Sequence, residues 1–277
     1  ERMAHRWQRA GVRGYQDGFA VTCHPERLTQ PRTWRKPKRI FVNSMGDLFH
    51  DSVPISFLTE VMQAMDRAKH HTFLVLTKRP EAMRDYLRTV AALGGGEPPA
   101  HIWWGVSVED QQSADERIPL LLQTPAAVRF VSVEPMLGPV NIFNSVAGVL
   151  GTLKHPPAIG NLHWVICGGE TGPNARPLHP DWVRSLRDQC QSAAVPFFFK
   201  SWGEWAPYDG ATFNVDDDPE QTKFRHMNWD GEKYEDVGYP GWSDFLDYWC
   251  VEDCTVRVGK KAAGRMLDGT EWLEAPC

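Results

Sequence analysis

The sequence lacks three features that would each indicate a particular class of protein. None of its apolar runs approaches the roughly 20 residues that a membrane-spanning helix needs, so we expect a soluble protein with no membrane partner. No secretory signal peptide is visible, which predicts a cytoplasmic location. The formal net charge is −5, so the chain as a whole has no electrostatic attraction to nucleic acid.

The sequence also lacks a cysteine motif. Its six cysteines are scattered and include no Cys-x-x-Cys pair, the commonest signature of a metal or redox site. Cys167 and Cys190 stand in apolar segments, which is typical of reduced core residues. Cys250 and Cys254 have the i, i+4 spacing of one helix face, which leaves a metal site open there although no second pair lies nearby. The sequence therefore assigns no metal ligand within this chain.

One unit is repeated along most of the chain: a short apolar run that ends in charged or polar residues, followed by a helix-like stretch. Such runs occupy residues 40–44, 73–77, 102–108, 129–133, 164–167 and 196–199. Apolar runs of this length suit parallel strands that are buried on both faces, and their alternation with helices is the βαβ pattern. The predicted fold is α/β, a partial or complete parallel (β/α) barrel.

The character of the sequence changes after residue 200. Residues 1–200 are predicted to form a barrel-type catalytic domain, and residues 201–277 an irregular, tryptophan-rich extension packed on it. Within the extension, residues 256–274 contain turns at three glycines and are compatible with a short hairpin or helix. Glu1 opens within a helix pattern that has no N-cap, so we expect the N-terminal part of the catalytic domain upstream of it.

Charged side chains end the predicted strands at a common register. The carboxylates are Asp47, Glu109, Glu134 and Glu170, and the cations are Lys78, Arg79 and Lys200. Because the carboxyl ends of barrel strands meet at one mouth, we expect these side chains to converge. They could bind a divalent metal, anchor a charged substrate or act as acids and bases. A ring of purely structural salt bridges would give the same pattern.

Two polar turns follow predicted strands. Gly168-Gly169-Glu170 begins a glycine-rich turn, where backbone amides can approach a ligand and the carboxylate can accept from an amine or a ribose hydroxyl. The second turn comprises residues 43–47, and it is either a ligand-binding turn or an ordinary tight turn. Trp202 and Trp205 closely follow Lys200, and rings beside a cation suit stacking on a nucleobase, although core packing is the commoner use of tryptophan.

A basic segment lies near the C-terminus and is interrupted by two glycines. Its cations are Arg257, Lys260, Lys261 and Arg265. Backbone and cations can approach a phosphate together in such a segment, and solvated surface charge is the alternative. We predict that it closes over the barrel mouth and grips an anionic substrate.

Taken together, several of these segments resemble the phage-associated proteins of the Gp37/Gp68 type. The similar segments are residues 43–50, 76–80, 104–109, 132–135, 168–172, 200–205 and 258–265. Members of that family carry three closely spaced cysteines just upstream of a segment like Glu1-Arg2-Met3-Ala4. They in turn resemble radical S-adenosylmethionine enzymes, including spore photoproduct lyase.

The resemblance implies a [4Fe–4S] cluster on three thiolates and S-adenosylmethionine on its open iron. The three cysteines are absent from this sequence, so either the cluster ligands lie upstream of Glu1, as we expect, or the cluster site has been lost. By the same resemblance, the cofactor-binding residues are Ser44, Gly46, Asp47, Gly168, Gly169 and Glu170. The catalytic residues are Glu109, Glu134 and Lys200. The substrate-binding residues are Lys78, Arg79, Trp202, Lys260, Lys261 and Arg265.

The leading interpretation is a radical S-adenosylmethionine-type enzyme that acts on a nucleic acid or nucleotide. One alternative is a metal-dependent hydrolase or nuclease that uses the same carboxylates around Mg²⁺ or Mn²⁺. A second alternative is a non-catalytic barrel that binds nucleic acid. The sequence is also compatible with a small companion protein as a partner.

Overall fold

The computed structural model describes residues 2–12, 14–43, 46–94, 96–145, 162–207, 226–238 and 254–276. The chain starts with helix α1 (Arg2–Arg9), a single 3-10 turn (Pro25–Arg27) and the one-turn helix α2 (Gln30–Thr33). The helical pattern of the first ten residues is therefore confirmed for α1. In the described part of the chain, every helix is too short or too polar to cross a bilayer.

The centre of the fold is a six-stranded sheet whose strand order follows the chain. Its strands are β1 (Arg39–Val42), β2 (Thr72–Thr77), β3 (Ile102–Val108), β4 (Val128–Val133), β5 (Trp164–Gly168) and β6 (Phe197–Ser201). β1 pairs in parallel with β2 and β2 with β3, and β4 pairs in parallel with β5 and β5 with β6. All residues of β3 and β5 are buried, as their uninterrupted apolar runs predict. The α/β class and the parallel sheet are confirmed.

Helices follow β1, β2, β3 and β5. They are α3 (Ile55–Asp66), α4 (Pro80–Ala92), α5 (Gln111–Leu122) and α6 (Pro180–Ser192). α4 and α6 begin with a proline, which fits the first helical position because that position has no intrahelical use for an N–H. At the start of α5, the Asp110 carboxylate accepts from Ser113 N at 2.8 Å, and Ser113 Oγ accepts from Asp110 N at 3.1 Å. This reciprocal cap fixes the exit from β3 into the helix.

Two compact units divide the chain. The first comprises Glu1–Val106 and Gln123–Arg129, and the second comprises Ser107–Leu122 and Phe130–Cys277. Fully buried side chains of the first unit include Phe73, Val75, Met83, Ile102 and Trp104. Those of the second include Ile118, Phe130, Leu186, Phe197 and Phe199. The division runs through β3 and β4, and residues 201–277 belong to the second unit.

The C-terminal region has more regular structure than the sequence predicted. β7 (Trp205–Pro207), β8 (His226–Trp229), β9 (Tyr234–Gly238) and β10 (Cys254–Arg257) form an antiparallel sheet in the order β7-β10-β8-β9. They are followed by the one-turn helix α7 (Lys260–Ala263) and the hairpin β11 (Met266–Leu267) and β12 (Thr270–Glu271). Cys254 lies in a strand, so the helical spacing proposed for the cysteine pair does not hold there; Cys250 lies outside the described residues.

The last residues cover the outer edge of β6. Phe199 N donates to Trp272 O at 2.9 Å, and Glu274 N donates to Phe197 O at 3.3 Å. The Glu274 carboxylate in turn accepts from Phe197 N at 2.8 Å. These bonds use the backbone groups that an edge strand would otherwise leave open for another chain.

Candidate active site

The second unit brings two predicted catalytic side chains into direct contact. Glu134 directly follows β4, and Lys200 lies in β6; these strands flank β5 on its two sides. Lys200 Nζ donates to Glu134 Oε1 at 2.6 Å, with the two side chains 50% and 27% exposed. A solvent-facing carboxylate and ammonium at the carboxyl ends of parallel strands can hold a proton or bind a charged substrate group.

The two glycines after β5 have different surroundings. A Cβ at Gly168 would lie 3.4 Å from Glu134 Cδ and 3.5 Å from Lys200 Cβ, which are ordinary contacts with the two members of the ion pair. A Cβ at Gly169 would overlap the carbonyl oxygen of Trp202. The sequence predicted that a ligand approaches the backbone of this turn closely. At Gly169 the group that approaches is the Trp202 carbonyl of the same chain.

Glu170, the predicted cofactor-binding carboxylate, pairs with an arginine of its own turn. Arg176 Nε and Nη2 donate to its two oxygens at 2.8 and 3.0 Å, and Arg176 N donates at 2.9 Å. These hydrogen bonds lower the pKa of Glu170 below its ordinary value of 4.5. A carboxylate held in this way fixes the turn. Sequence reasoning missed Arg176, although its position six residues after Glu170 in one glycine-rich turn was an available signal.

Glu109, the third predicted catalytic residue, also has a cationic partner that the sequence did not single out. Arg117 Nη1, from α5, donates to Glu109 Oε2 at 2.9 Å and to the Ser107 carbonyl at 2.8 Å. Ser107 Oγ donates to Glu109 Oε1 at 3.3 Å. The Glu109 side chain is only 13% exposed, which suits an ion pair that ties α5 to the end of β3.

A pocket of about 390 Å³ opens beside Lys200. Its lining residues are Lys200, Ser201, Lys260, Gly264, Arg265, Met266 and Glu271. Three residues predicted to contact an anion, Lys200, Lys260 and Arg265, are thus brought together although 60 residues separate the first from the second. Lys261 is exposed and does not line this pocket. Ser201 and Glu271 were not predicted, because nothing local in the sequence places them here.

Trp202 and Trp205 are buried beneath this region, at 4% and 3% exposed. Trp202 Nε1 donates to Met266 O at 2.8 Å, and its ring packs edge-on against Phe199. Trp205 Nε1 donates to Ala175 O at 2.7 Å. The predicted stacking of Trp202 on a substrate base does not fit this burial, because no ring face is open to a ligand.

The first unit contains a separate cluster around Asp47. Asp47 Oδ1 accepts from Thr77 Oγ1 at 2.7 Å and from Phe49 N at 2.9 Å. Asp47 Oδ2 accepts from Lys78 N at 2.9 Å and from Arg79 Nη1 at 3.1 Å. Four donors on one 14%-exposed carboxylate join the turn after β1 to the end of β2.

The neighbouring predicted residues have simpler surroundings. Gly46 N donates to Asn43 O at 3.1 Å. This hydrogen bond forms a tight turn, which was one of the two interpretations of residues 43–47. Ser44 lies outside the described residues. The Lys78 side chain is exposed.

A family comparison covers nearly the whole chain. The family described as "Protein of unknown function (DUF5131)" matches residues 1–276. The chain belongs to the DUF5131 family. Nothing matches it among the curated proteins or among the solved structures. The site therefore has to be interpreted from its own chemistry.

The described cysteines of this DUF5131 protein do not fit an iron–sulfur cluster. Cys167 and Cys190 are buried free thiols, and burial raises the pKa of Cys190 to about 12 and that of Cys167 well above its ordinary value. A [4Fe–4S] cluster with one open iron needs three thiolates that face a common point. Among the described residues, no three His, Cys, Asp or Glu side chains are grouped so as to hold a metal ion.

Proposed function

We propose that this DUF5131 protein is an enzyme of the radical S-adenosylmethionine type that acts on a nucleotide or nucleic acid. Its parallel sheet would be that of a partial (β/α) barrel, with residues 201–277 as an extension packed on it. The cofactor part of the proposal depends on the resemblance of the motif segments. Since the described cysteines do not fit the cluster, we assign no residue of this chain to it and derive no step through it.

One observation supports the substrate part of the proposal: Lys200, which pairs with Glu134, lines a pocket together with two further cations. Of the three predicted catalytic residues, Glu134 and Lys200 are the more exposed, and Glu109 is held by Arg117. We assign Glu134 to holding or moving a proton at its carboxylate, and Lys200 to binding an anionic group of the substrate. Glu109 then serves as a positioning residue through α5.

The decisive experiment uses the full-length protein, reconstituted anaerobically with iron and sulfide. We expect cluster absorbance and reductive cleavage of S-adenosylmethionine, and the absence of both would overturn the enzyme class. Glu134→Gln should lower substrate turnover about 100-fold, the range for loss of a general acid or base. Glu116→Gln, an exposed carboxylate on α5, is the matched control and should leave turnover unchanged.

The same assay separates the alternatives. A metal-dependent hydrolase requires metal-stimulated activity in air from the chain as it stands, lost on Glu134→Gln. In the second unit, Glu109, Glu134 and Glu170 each pair with a cation of their own, so we place this function second. A non-catalytic barrel would bind nucleic acid equally well before and after substitution of these carboxylates. A cytoplasmic location and a small companion protein remain part of the proposal, supported by free thiols and by the resemblance respectively.

A further inference from the structure

We propose that the pocket beside Lys200 binds a phosphomonoester, and that this group is the terminal phosphate of the nucleotide substrate. The phosphate assignment depends on the pocket alone. The nucleoside attached to it rests on the proposed function. The pocket is lined by Lys200, Ser201, Lys260, Gly264, Arg265, Met266 and Glu271.

The charge of the lining favours a monoester over a diester. Three cations and one carboxylate line the pocket, and the Glu134 carboxylate that pairs with Lys200 adds a second negative charge beside it. The excess is one positive charge while the Lys200–Glu134 pair is closed and two once it opens, on a chain whose net charge is negative. A phosphomonoester carries about 1.5 to 2 negative charges at neutral pH, whereas an internal diester of a polynucleotide carries one. Among the residues that the structure describes, Lys260 has no ion-pair partner, and it supplies the uncompensated charge.

The existing ion pairs of the pocket can exchange partners. Lys200 pairs with Glu134, and Arg265 pairs with Glu271 at 3.0 Å. The side chains of Lys200 and Arg265 are about half exposed, and exposed ion pairs contribute little to stability. A phosphate offers both cations charge-assisted hydrogen bonds in exchange, and arginine can bind it through two parallel N–H donors. Release of Glu134 from Lys200 would free that carboxylate for proton transfer.

The backbone holds the cations in place. Trp202 makes two hydrogen bonds to the rim of the pocket at Gly264 and Met266. Its N donates to Gly264 O at 3.1 Å, and its Nε1 donates to Met266 O at 2.8 Å. Gly264 has φ +67°, a conformation that favours glycine, and it turns the chain between Lys260 and Arg265 so that both reach the same pocket. Sequence reasoning expected Trp202 to contact substrate; we assign it to positioning this rim instead.

The size of the pocket fits one small ligand. A volume of about 390 Å³ lies near the lower end of the roughly 300 to 1,000 Å³ that small-molecule sites occupy. A duplex would instead require an extended basic surface that follows many phosphates. We therefore expect a mononucleotide or the phosphorylated end of a strand.

The test is calorimetric titration of the full-length protein with adenosine 5′-monophosphate, ribose 5-phosphate, adenosine and 3′,5′-cyclic adenosine monophosphate. We expect the two monoesters to bind at least ten-fold more tightly than adenosine and the cyclic diester. Lys260→Gln should weaken monoester binding about ten-fold, the effect of losing one charge-assisted contact. Lys261→Gln removes a neighbouring exposed lysine that does not line the pocket, and it should change the dissociation constant less than two-fold.

Several results would overturn the pocket assignment. They are equal binding of adenosine 5′-monophosphate and adenosine, equal binding of the monoester and the cyclic diester, and equal effects of the two lysine variants. Melting temperatures of both variants should match the parent, because both lysines are exposed. Cleavage of S-adenosylmethionine, measured on the same preparation, distinguishes the two proposals. Monoester binding without cleavage supports the pocket and overturns the enzyme class, whereas cleavage without monoester binding overturns the pocket alone.

Discussion

Lys200 and Glu134 meet across the end of a strand to which neither belongs. They extend from the two neighbours of β5, and Lys200 Nζ lies 2.6 Å from Glu134 Oε1. The separation of 66 residues means that no local pattern reports this contact. The parallel order of β4, β5 and β6 creates it.

The adjacent glycines should respond differently to alanine. A Cβ at Gly169 overlaps Trp202 O, a backbone atom that cannot rotate away, so we expect Gly169→Ala to lower the free energy of unfolding by about 3 kcal/mol. Gly168→Ala makes only ordinary contacts of 3.4 to 3.5 Å and should cost less than about 1 kcal/mol. Denaturant unfolding of both variants measures the difference. Equal losses would contradict the close approach at Gly169.

The rim of the pocket should loosen when Trp202 loses its indole donor. Trp202→Phe removes the hydrogen bond to Met266 O and part of a buried ring, for which we expect a stability loss of about 2 kcal/mol. Hydrogen exchange of residues 264–267 should accelerate. Trp272→Phe is the control, because in the described part of the chain its Nε1 has no hydrogen-bond partner. Unchanged exchange in Trp202→Phe would rule out its positioning role.

The cap of α5 predicts a pH dependence on the acid side. Hydrogen bonds from Ser113 lower the pKa of Asp110 below its ordinary value of 3.8 in the folded protein. The stabilisation is therefore fully present above about pH 4 and is lost as the pH falls through the folded-state pKa. Asp110→Asn keeps a capping oxygen but cannot titrate, so it should flatten that part of the curve. Asp110→Ala should cost about 1 kcal/mol at pH 7.

Unfolding free energies measured between pH 7 and pH 3 test the cap. The matched control is Asp188→Asn, which changes an exposed carboxylate on α6. An acid-side curve that is identical in the parent and in Asp110→Asn would contradict the assignment.

The thiols should alkylate at very different rates. The thiolate is the nucleophile, and burial raises the pKa of Cys190 to about 12 and that of Cys167 well above its ordinary value. Both thiols should therefore be protected from iodoacetamide at pH 8. Of Cys23, Cys167 and Cys190, Cys23 is the one only partly buried, and it should react before the other two. Peptide mass spectrometry of native and unfolded protein reads each site separately. Fast labelling of Cys167 in the native protein would show that it is accessible, and would reopen its exclusion as a metal ligand.

The strands of the parallel sheet were predictable because their signal is local. β3 and β5 are buried along their whole length, as their consecutive apolar residues predict for strands covered on both faces. The antiparallel sheet was not predictable in the same way. β7 pairs with β10 about 50 residues later, and short strands of mixed polarity give no periodic pattern.

The site was predicted in part. The sequence predicted that charged side chains lie at the strand ends. In the structure, the pocket brings Lys200 together with two cations of the C-terminal segment. The sequence did not indicate which charges are already neutralised. Arg117 and Arg176 hold Glu109 and Glu170, and only the side-chain geometry shows those ion pairs.

By itself, the sequence determined the class of fold and the strand ends at which chemistry can occur, since hydrophobic periodicity and the order of charged residues act over a few neighbouring positions. The tertiary structure alone decided which of those residues face solvent and which partners they have. The burial of Trp202, the close approach of its carbonyl oxygen to Gly169 and the shared pocket of Lys200 and Lys260 all depend on contacts between distant segments. Such contacts form where the chain folds back on itself, and no local stretch of sequence specifies them.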